Sequence, residues 1–203
     1  MPATITVRWC RIGIENRFFV YGPRLGALYL LPAGEAHNNK LIRVLGVRSS
    51  DFEQVVADPA SVVLHDITAF KAGVIPPAPK FWCYLYRFIH QSRNVVPFGI
   101  LLRLATNLVS LSPGKTNFRT QEAIGKLLHA IETKIALRDC YPRAIITACL
   151  CSKARLSWQV AIGILSPTRM MHAWCSTNGV LPYEPLPEHY MYQPLIVYSR
   201  KYS

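Results

Sequence analysis

Acidic residues are scarce in this chain. Among 203 residues there are 11 Asp or Glu against 23 Lys or Arg, a formal net charge of +12. Between Lys80 and Ala130 a single acid, Glu122, stands among Lys80, Arg87, Arg93, Arg103, Lys115, Arg119 and Lys126. Such a bias favours solubility and acidic partners. These cations form either a solvated rim on helices or a docking face for an acidic peptide or partner enzyme. Nucleic acid is the less economical partner, because a recognition-helix signature, zinc-finger spacing and an arginine-rich arm are all lacking. Long apolar runs are missing too. The segment from Phe81 to Leu111 is broken by Arg87, His90, Arg93, Asn94, Pro97 and Arg103, short of the about 18 uncharged residues of a membrane span. Met1 to Trp9 is mixed and carries no apolar core of a secretory signal. No glycine-rich phosphate loop is present, so no cofactor is expected to bind this chain. A cytoplasmic protein is the resulting expectation.

Paired cysteine spacing is the next absence. The cysteines are Cys10, Cys83, Cys140, Cys149, Cys151 and Cys175. Cys149 and Cys151 are too close for a zinc knuckle, and a metal site built from Cys140, Cys149, His172 and Cys175 has no paired spacing behind it. No metal is expected. In a reducing compartment these residues are thiols, most of them small core side chains. What the chain has in quantity is apolar residues, 51% against 17% charged, enough to build a packed core.

The first part reads as strands, then helices. Thr4 to Trp9 alternates; Phe18 to Tyr21 and Ala27 to Leu31 are short aromatic or aliphatic runs separated by the Gly22-Pro23 turn signal. Residues 37–47 and 50–58 are expected to form short helices, the second capped by Ser50 or Asp51, and Val62 to Leu64 a further strand. Gly73 to Pro79 holds three prolines among small residues, the composition of a linker. A domain boundary is therefore expected between residues 1–75 and residues 80–203.

In the second part, residues 80–93 and 97–111 are expected as helices, with Pro97 in a first turn and Ser112-Pro113-Gly114 as the stop. Ile124, Leu127, Leu128, Ile131 and Ile135 recur at three- and four-residue steps and predict a helix over 120–137. Pro142 is tolerated only in the first turn of a helix, so Cys140 stands at or just before the start of a helix running to about Lys153. A thiol there meets the positive end of the helix dipole and free backbone N–H groups, which favour the nucleophilic thiolate and could hold an oxyanion. Trp158 to Leu165 and Met170 to Thr177 alternate as strands, and the second places Met170, His172, Trp174 and Ser176 on one face. Imidazole deprotonates a thiol and later protonates a leaving amine. Asn178-Gly179 predicts a hairpin turn. A two-residue loop pairs Thr177 with Val180 and Ala173 with Glu184, which turns Glu184 away from His172. One extra residue or a bulge pairs Glu184 with Trp174 and brings it to the histidine's face. Glu188 and Asp139 are alternative orienters of the imidazole. The cysteine, the histidine and the carboxylate together are the parts of a cysteine nucleophile, its base and its orienter.

These residues carry a resemblance. Cys140-Tyr-Pro-Arg, the strand ending Val160-Ala-Ile-Gly163, His172-Ala-Trp174, Asn178-Gly179 and an acid twelve residues after the histidine are together similar to the lasso-peptide leader peptidases, of the transglutaminase-like cysteine hydrolase superfamily, over residues 120 to 190. The resemblance implies an α+β chain: a small winged-helix-like domain at 1–75 that holds the leader of a precursor peptide by strand addition, then a transglutaminase/papain-like cysteine hydrolase domain at 80–203. It implies a triad of Cys140, His172 and Glu184, where the family more commonly has aspartate as the acid. The implied reaction removes the leader from a ribosomally made lasso-peptide precursor. The implied partners are that precursor and an asparagine-synthetase-like macrolactam cyclase, through which any ATP requirement would act. The same triad would serve a transglutaminase or deamidase, and a chain with a structural cysteine would be a peptide-binding adaptor.

Overall fold

A computed structural model describes residues 6–14, 17–22, 27–32, 52–54, 66–67, 76–111, 120–165, 170–184 and 192–202. The described chain is an α+β arrangement of helices packed against a largely antiparallel sheet.

Four helices are described in the second part: α1 (Lys80–Ser92), α2 (Phe98–Leu111), α3 (Gln121–Ile135) and α4 (Cys140–Lys153). Their bounds follow the expected ones to within two residues. In α1, Trp82, Leu85, Tyr86 and Ile89 form the buried stripe at the three- and four-residue steps of an amphipathic helix. The Thr120 side chain caps α3 by accepting from the Ala123 N–H at 3.2 Å, and Ala136 ends that helix in the left-handed region with φ 53°. In α4 every residue from Pro142 to Ser152 is buried. This helix is the hub: it packs against α1, α2, α3 and two strands of the sheet. Ile145 and Ile146 are fully buried on it, each stabilising the fold by about 1.5–3 kcal/mol relative to exposure.

The sheet around this hub uses β6 (Trp158–Leu165), β7 (Met170–Ser176) and β9 (Gln193–Arg200), all antiparallel, with β6 in the middle. Val160, Ile162, Ile164, Ala173 and Cys175 point to the helices, while Ala161, Trp174 and Val197 join Leu181 and Tyr192 in a smaller cluster. The alternation read for 158–165 and 170–177 is thus the division between two packed faces. No element was expected at Gln193–Arg200. The strand found there carries the continuous apolar run Leu195–Tyr198, the pattern of a strand buried on both faces.

In the first part, β1 (Thr6–Ile14), β2 (Arg17–Gly22) and β3 (Ala27–Pro32) form an antiparallel meander, as their patterning predicts. Thr6–Trp9 also pairs antiparallel with Ile196–Ser199 of β9. The helix expected over 50–58 is corrected over its described part: Phe52–Gln54 is β4, paired parallel with Trp9–Arg11. Cross-strand pairing overrides the capping signal of Ser50-Asp51 there. A short β5 (Asp66–Ile67) pairs parallel with β8 (Val180–Leu181). The helix at 37–47 and the strand at 62–64 lie outside the described residues.

Helix α3 does more than fill the core. Gln121 Nε2 donates to the Thr177 carbonyl at 3.0 Å. A Cβ on Gly125 would stand 2.1 Å from the Pro182 carbonyl oxygen. The His129 ring meets Tyr183 edge-on, with 3.3 Å from Nδ1 to the phenol oxygen. Positions 121, 125 and 129 are one face of a helix, and that face guides residues 177–183. Ala in place of a solvent-facing helical glycine stabilises by about 0.5–1 kcal/mol. Gly125→Ala is expected to do the opposite and cost about 1–3 kcal/mol as overpacking, read from the urea midpoint. A variant as stable as the parent would refute this close approach.

Candidate functional site

The site begins at the N-terminus of α4. Asp139 is its N-cap, with φ −141° and ψ 125°, and its Oδ1 accepts from the Tyr141 N–H at 3.0 Å. Cys140 is therefore the first helical residue and Pro142 lies in the first turn, as the proline requires. The Arg143 N–H donates to the Asp139 carbonyl at 3.2 Å. With Tyr141 capped and Pro142 lacking an N–H, the donor left untaken among the described bonds of this turn is that of Cys140 itself. The expectation of several free N–H groups thus narrows to one. Of the described cysteines, Cys83, Cys149, Cys151 and Cys175 are buried; Cys140 is half-buried.

Asp139 is also tied from the outside. His90 Nδ1 stands 2.6 Å from Oδ2, and Arg93 bonds the same oxygen. The Tyr86 hydroxyl accepts from the Asp139 N–H at 3.0 Å. Asp139 therefore fixes the start of the helix and does not orient His172. Glu188 lies outside the described residues.

His172 lies on β7 directly opposite Gly163 of β6. The absence of a side chain at Gly163 is a steric need: a Cβ there would sit 2.7 Å from the Trp174 ring and 2.6 Å from the Gln193 carbonyl oxygen. The Trp174 ring lies parallel to His172 with centroids 5.9 Å apart, and Tyr192 stands at 5.0 Å. His172 Nε2 is 3.1 Å from Glu184 Oε2. Nδ1 is the ring nitrogen that Glu184 does not meet, and Cys140 acts on the same imidazole. Burial alone would push His172 down. Its interactions with Cys140 and with Glu184 outweigh burial and raise it from 6.5 to about 9, so the ring is held as imidazolium at neutral pH.

Glu184 reaches the histidine by a route neither hairpin register anticipates. Thr177 and Val180 pair as in a two-residue loop, their N–H groups donating to each other's carbonyls at 2.9 and 3.0 Å. Asn178 and Gly179 take φ 51° and 77°, the signature of the hairpin turn. The ladder stops at Leu181. Pro182 cannot donate to it, and the chain leaves the strand, releasing Glu184 from the alternation that would have turned it away.

The side chain of Glu184 is 1% exposed. Its Oε1 accepts from Arg143 Nη1 at 3.4 Å, and Arg143 Nε donates to Glu132 Oε1 at 2.8 Å. The Tyr86 hydroxyl donates to Glu132 Oε1 at 2.7 Å. Burial works against the charge on Arg143, and the two carboxylates outweigh it. Burial, then Glu132, pushes the Tyr86 phenol far up, so it stays a donor. Sequence reading missed Arg143, Glu132 and Tyr86. Two signals were present: Glu132 interrupts the apolar stripe of α3 four residues after Leu128, and Arg143 is the one charge between Cys140 and Ser152.

The structure thus brings Cys140, His172 and Glu184 together, Cys140 half-buried and the other two buried. Of the basic residues read from the sequence, Lys80, Arg87 and Arg103 are exposed, Arg93 binds Asp139, and Lys126 pairs with Glu122 at 2.7 Å; Lys115 and Arg119 lie outside the described residues. No group of three or more His, Cys, Asp or Glu is assembled to hold a metal among the described residues, and none of their helices is long and apolar enough to cross a membrane.

No family model, curated protein or solved structure matches this chain.

Proposed function

We propose that the chain is a cysteine peptidase of the transglutaminase/papain-like kind that cuts the leader from a ribosomally made lasso-peptide precursor. The observation that carries the reading is the order of contacts: a half-buried thiol on the first residue of a helix, an imidazole beside it, and a buried carboxylate on the imidazole's far nitrogen. That is the arrangement of nucleophile, acid–base and orienter in acyl transfer through a thioester.

In this mechanism Cys140 Sγ attacks the carbonyl at the leader–core junction. The Sγ–C bond forms as the C=O π pair moves onto oxygen, giving a tetrahedral intermediate whose oxyanion accepts from the Cys140 N–H. His172 Nδ1 gives its proton to the departing amine as the C–N bond breaks. The neutral ring then takes a proton from water, which attacks the thioester and releases the leader carboxylate and the thiol. Glu184 Oε2 holds the ring so that Nδ1 keeps facing the sulfur. Met170, 53% exposed on the strand face that carries His172, adds apolar surface for a peptide near the imidazole. Residues 1–75 are the leader-recognition part in this reading, and an asparagine-synthetase-like cyclase is the partner that closes the released core, with any ATP consumed there.

The test is incubation of the chain, with and without the cyclase, with its precursor, followed by mass spectrometry. Two fragments that sum to precursor plus water support peptidase action. An uncut precursor heavier by about one dalton would instead assign deamidation, the other outcome a water acceptor allows. Cys140→Ala is expected to lower cleavage by at least about a thousandfold while leader binding is kept. Retained cleavage by that variant in the presence of a chelator overturns the assignment.

The pH dependence has a definite sign. A histidine raised from 6.5 to about 9 contributes stability that is complete below 6.5 and lost as pH rises through 9. The leaving-group proton is lost over the same upper range. Cleavage is therefore expected to fall as pH passes about 9, and the difference in thermal midpoint between the parent and His172→Gln is expected to shrink there. A difference independent of pH between 6 and 10 would contradict this ring environment.

A further inference from the structure

The carboxylate that meets His172 is held at both of its oxygens. Oε2 faces His172 Nε2 at 3.1 Å and Oε1 faces Arg143 Nη1 at 3.4 Å. Arg143 is in turn held by Glu132, whose Oε1 it meets through Nε at 2.8 Å and which Tyr86 also bonds at 2.7 Å. Tyr86 closes the circuit by accepting from the N–H of Asp139, the cap of the helix that begins with Cys140. The side chains of Arg143, Glu132 and Glu184 are 6%, 1% and 1% exposed, so none can exchange its partner for water. The guanidinium is a rigid planar fork with distinct donors for two acceptors. Its Cζ also lies 5.7 Å from the Tyr183 ring centroid, on the residue next to Glu184.

We infer that Arg143 is a positioning residue for the triad: it clamps Glu184 Oε1 so that Oε2 meets His172, and thereby holds the imidazole that serves Cys140. This rests on the triad reading above and names the device that keeps the acid in place. Among the described residues, the groups facing His172 are Cys140 from α4, Glu184 after β8, and the rings of Trp174 and Tyr192. Arg143 touches Glu184 and not the ring, so its influence passes through Glu184.

That indirect route gives the inference a sign that a purely structural or purely electrostatic role would not share. Removing a nearby cation while Glu184 stays in place leaves His172 unmoved or raises it. Removing the clamp lets the carboxylate turn away, and burial then pulls the imidazole down. The experiment follows His172 by NMR titration of its ring proton, alongside the iodoacetamide rate of Cys140, in the full chain. Neither readout needs a substrate, so a precursor that is never cut sinks the peptidase reading and leaves this test standing.

In Arg143→Met the His172 midpoint is expected to drop by more than about one unit, and the alkylation rate of Cys140 to fall with it. Because that change strands two buried carboxylates, the pair Arg143→Met with Glu132→Gln is the second arm. It removes one negative and one positive charge together, and is expected to fold while showing the same lowered midpoint. Arg143→Lys keeps the charge but not the fork, and is expected to lie between the parent and Arg143→Met. Glu184→Gln should match the Arg143→Met midpoint if both act on one contact. A midpoint that is unchanged or raised in the folded double variant, or in Arg143→Lys and Arg143→Met alike, overturns the inference.

Discussion

A carboxylate taken out of water needs a counter-charge held in good geometry. The second part of this chain is arranged around that requirement. Two glutamates, Glu132 from α3 and Glu184 from the segment after β8, are buried on either side of one arginine of α4. Each element must be correctly placed for the charges to balance, so the cluster ties α3, α4 and the segment after the hairpin to one another. Because Glu184 also meets His172 and Arg143 lies three residues after Cys140, the same balance aligns the groups of the candidate site. Structure and chemistry share one set of contacts.

Such a cluster is a poor source of stability. The cost of desolvating the ions largely offsets their attraction, and an apolar replacement of equal volume is often as stable. The stability of this region comes from α4, whose Ile145, Ile146 and Ala148 pack among α1, α2 and the sheet. What the ions add is uniqueness: a helix shifted by one turn would still bury its apolar residues, but would leave Arg143 without Glu132. A register error is thereby made costly in the first turn of the helix that begins with Cys140.

How much of this could be read from residues alone depends on the range of the interaction. Local signals carried well. The apolar spacing from Ile124 to Ile135, Pro142 as a first-turn residue and Asn178-Gly179 as a turn each act within four positions, and each element they announce is present. Alternation in β6 and β7 correctly separated the faces, which put His172 beside Trp174. Nonlocal pairing did not carry. Gln193–Arg200 holds no turn signal of its own, yet it lies between β1 and β6. Phe52–Gln54 follows a good helix cap and still pairs as a strand with β1. Glu132 and Arg143 were visible as charges within apolar stripes, but which charge answers which is a question of three dimensions. The basic bias was legible as composition and divided in the structure between Arg93 and Lys126, which have acidic partners, and the exposed Lys80, Arg87 and Arg103.

The acid at position 184 shows how such a site solves a conflict between local and distant demands. The hairpin turn fixes a register in which a continued strand would turn this residue away from His172. Pro182 ends the ladder, and the face of α3 at Gln121, Gly125 and His129 receives the chain that leaves it. The carboxylate must then bridge two groups held by different elements, His172 of β7 at 3.1 Å and Arg143 of α4 at 3.4 Å. On the same backbone an aspartate would draw the carboxylate back by about 1.5 Å, the length of one C–C bond. It could retain one of those contacts but not both, since each already lies toward the long end of the hydrogen-bond range. The extra methylene of glutamate is therefore a consequence of the arginine: a site with no cation on the far side of its acid has no use for the added reach.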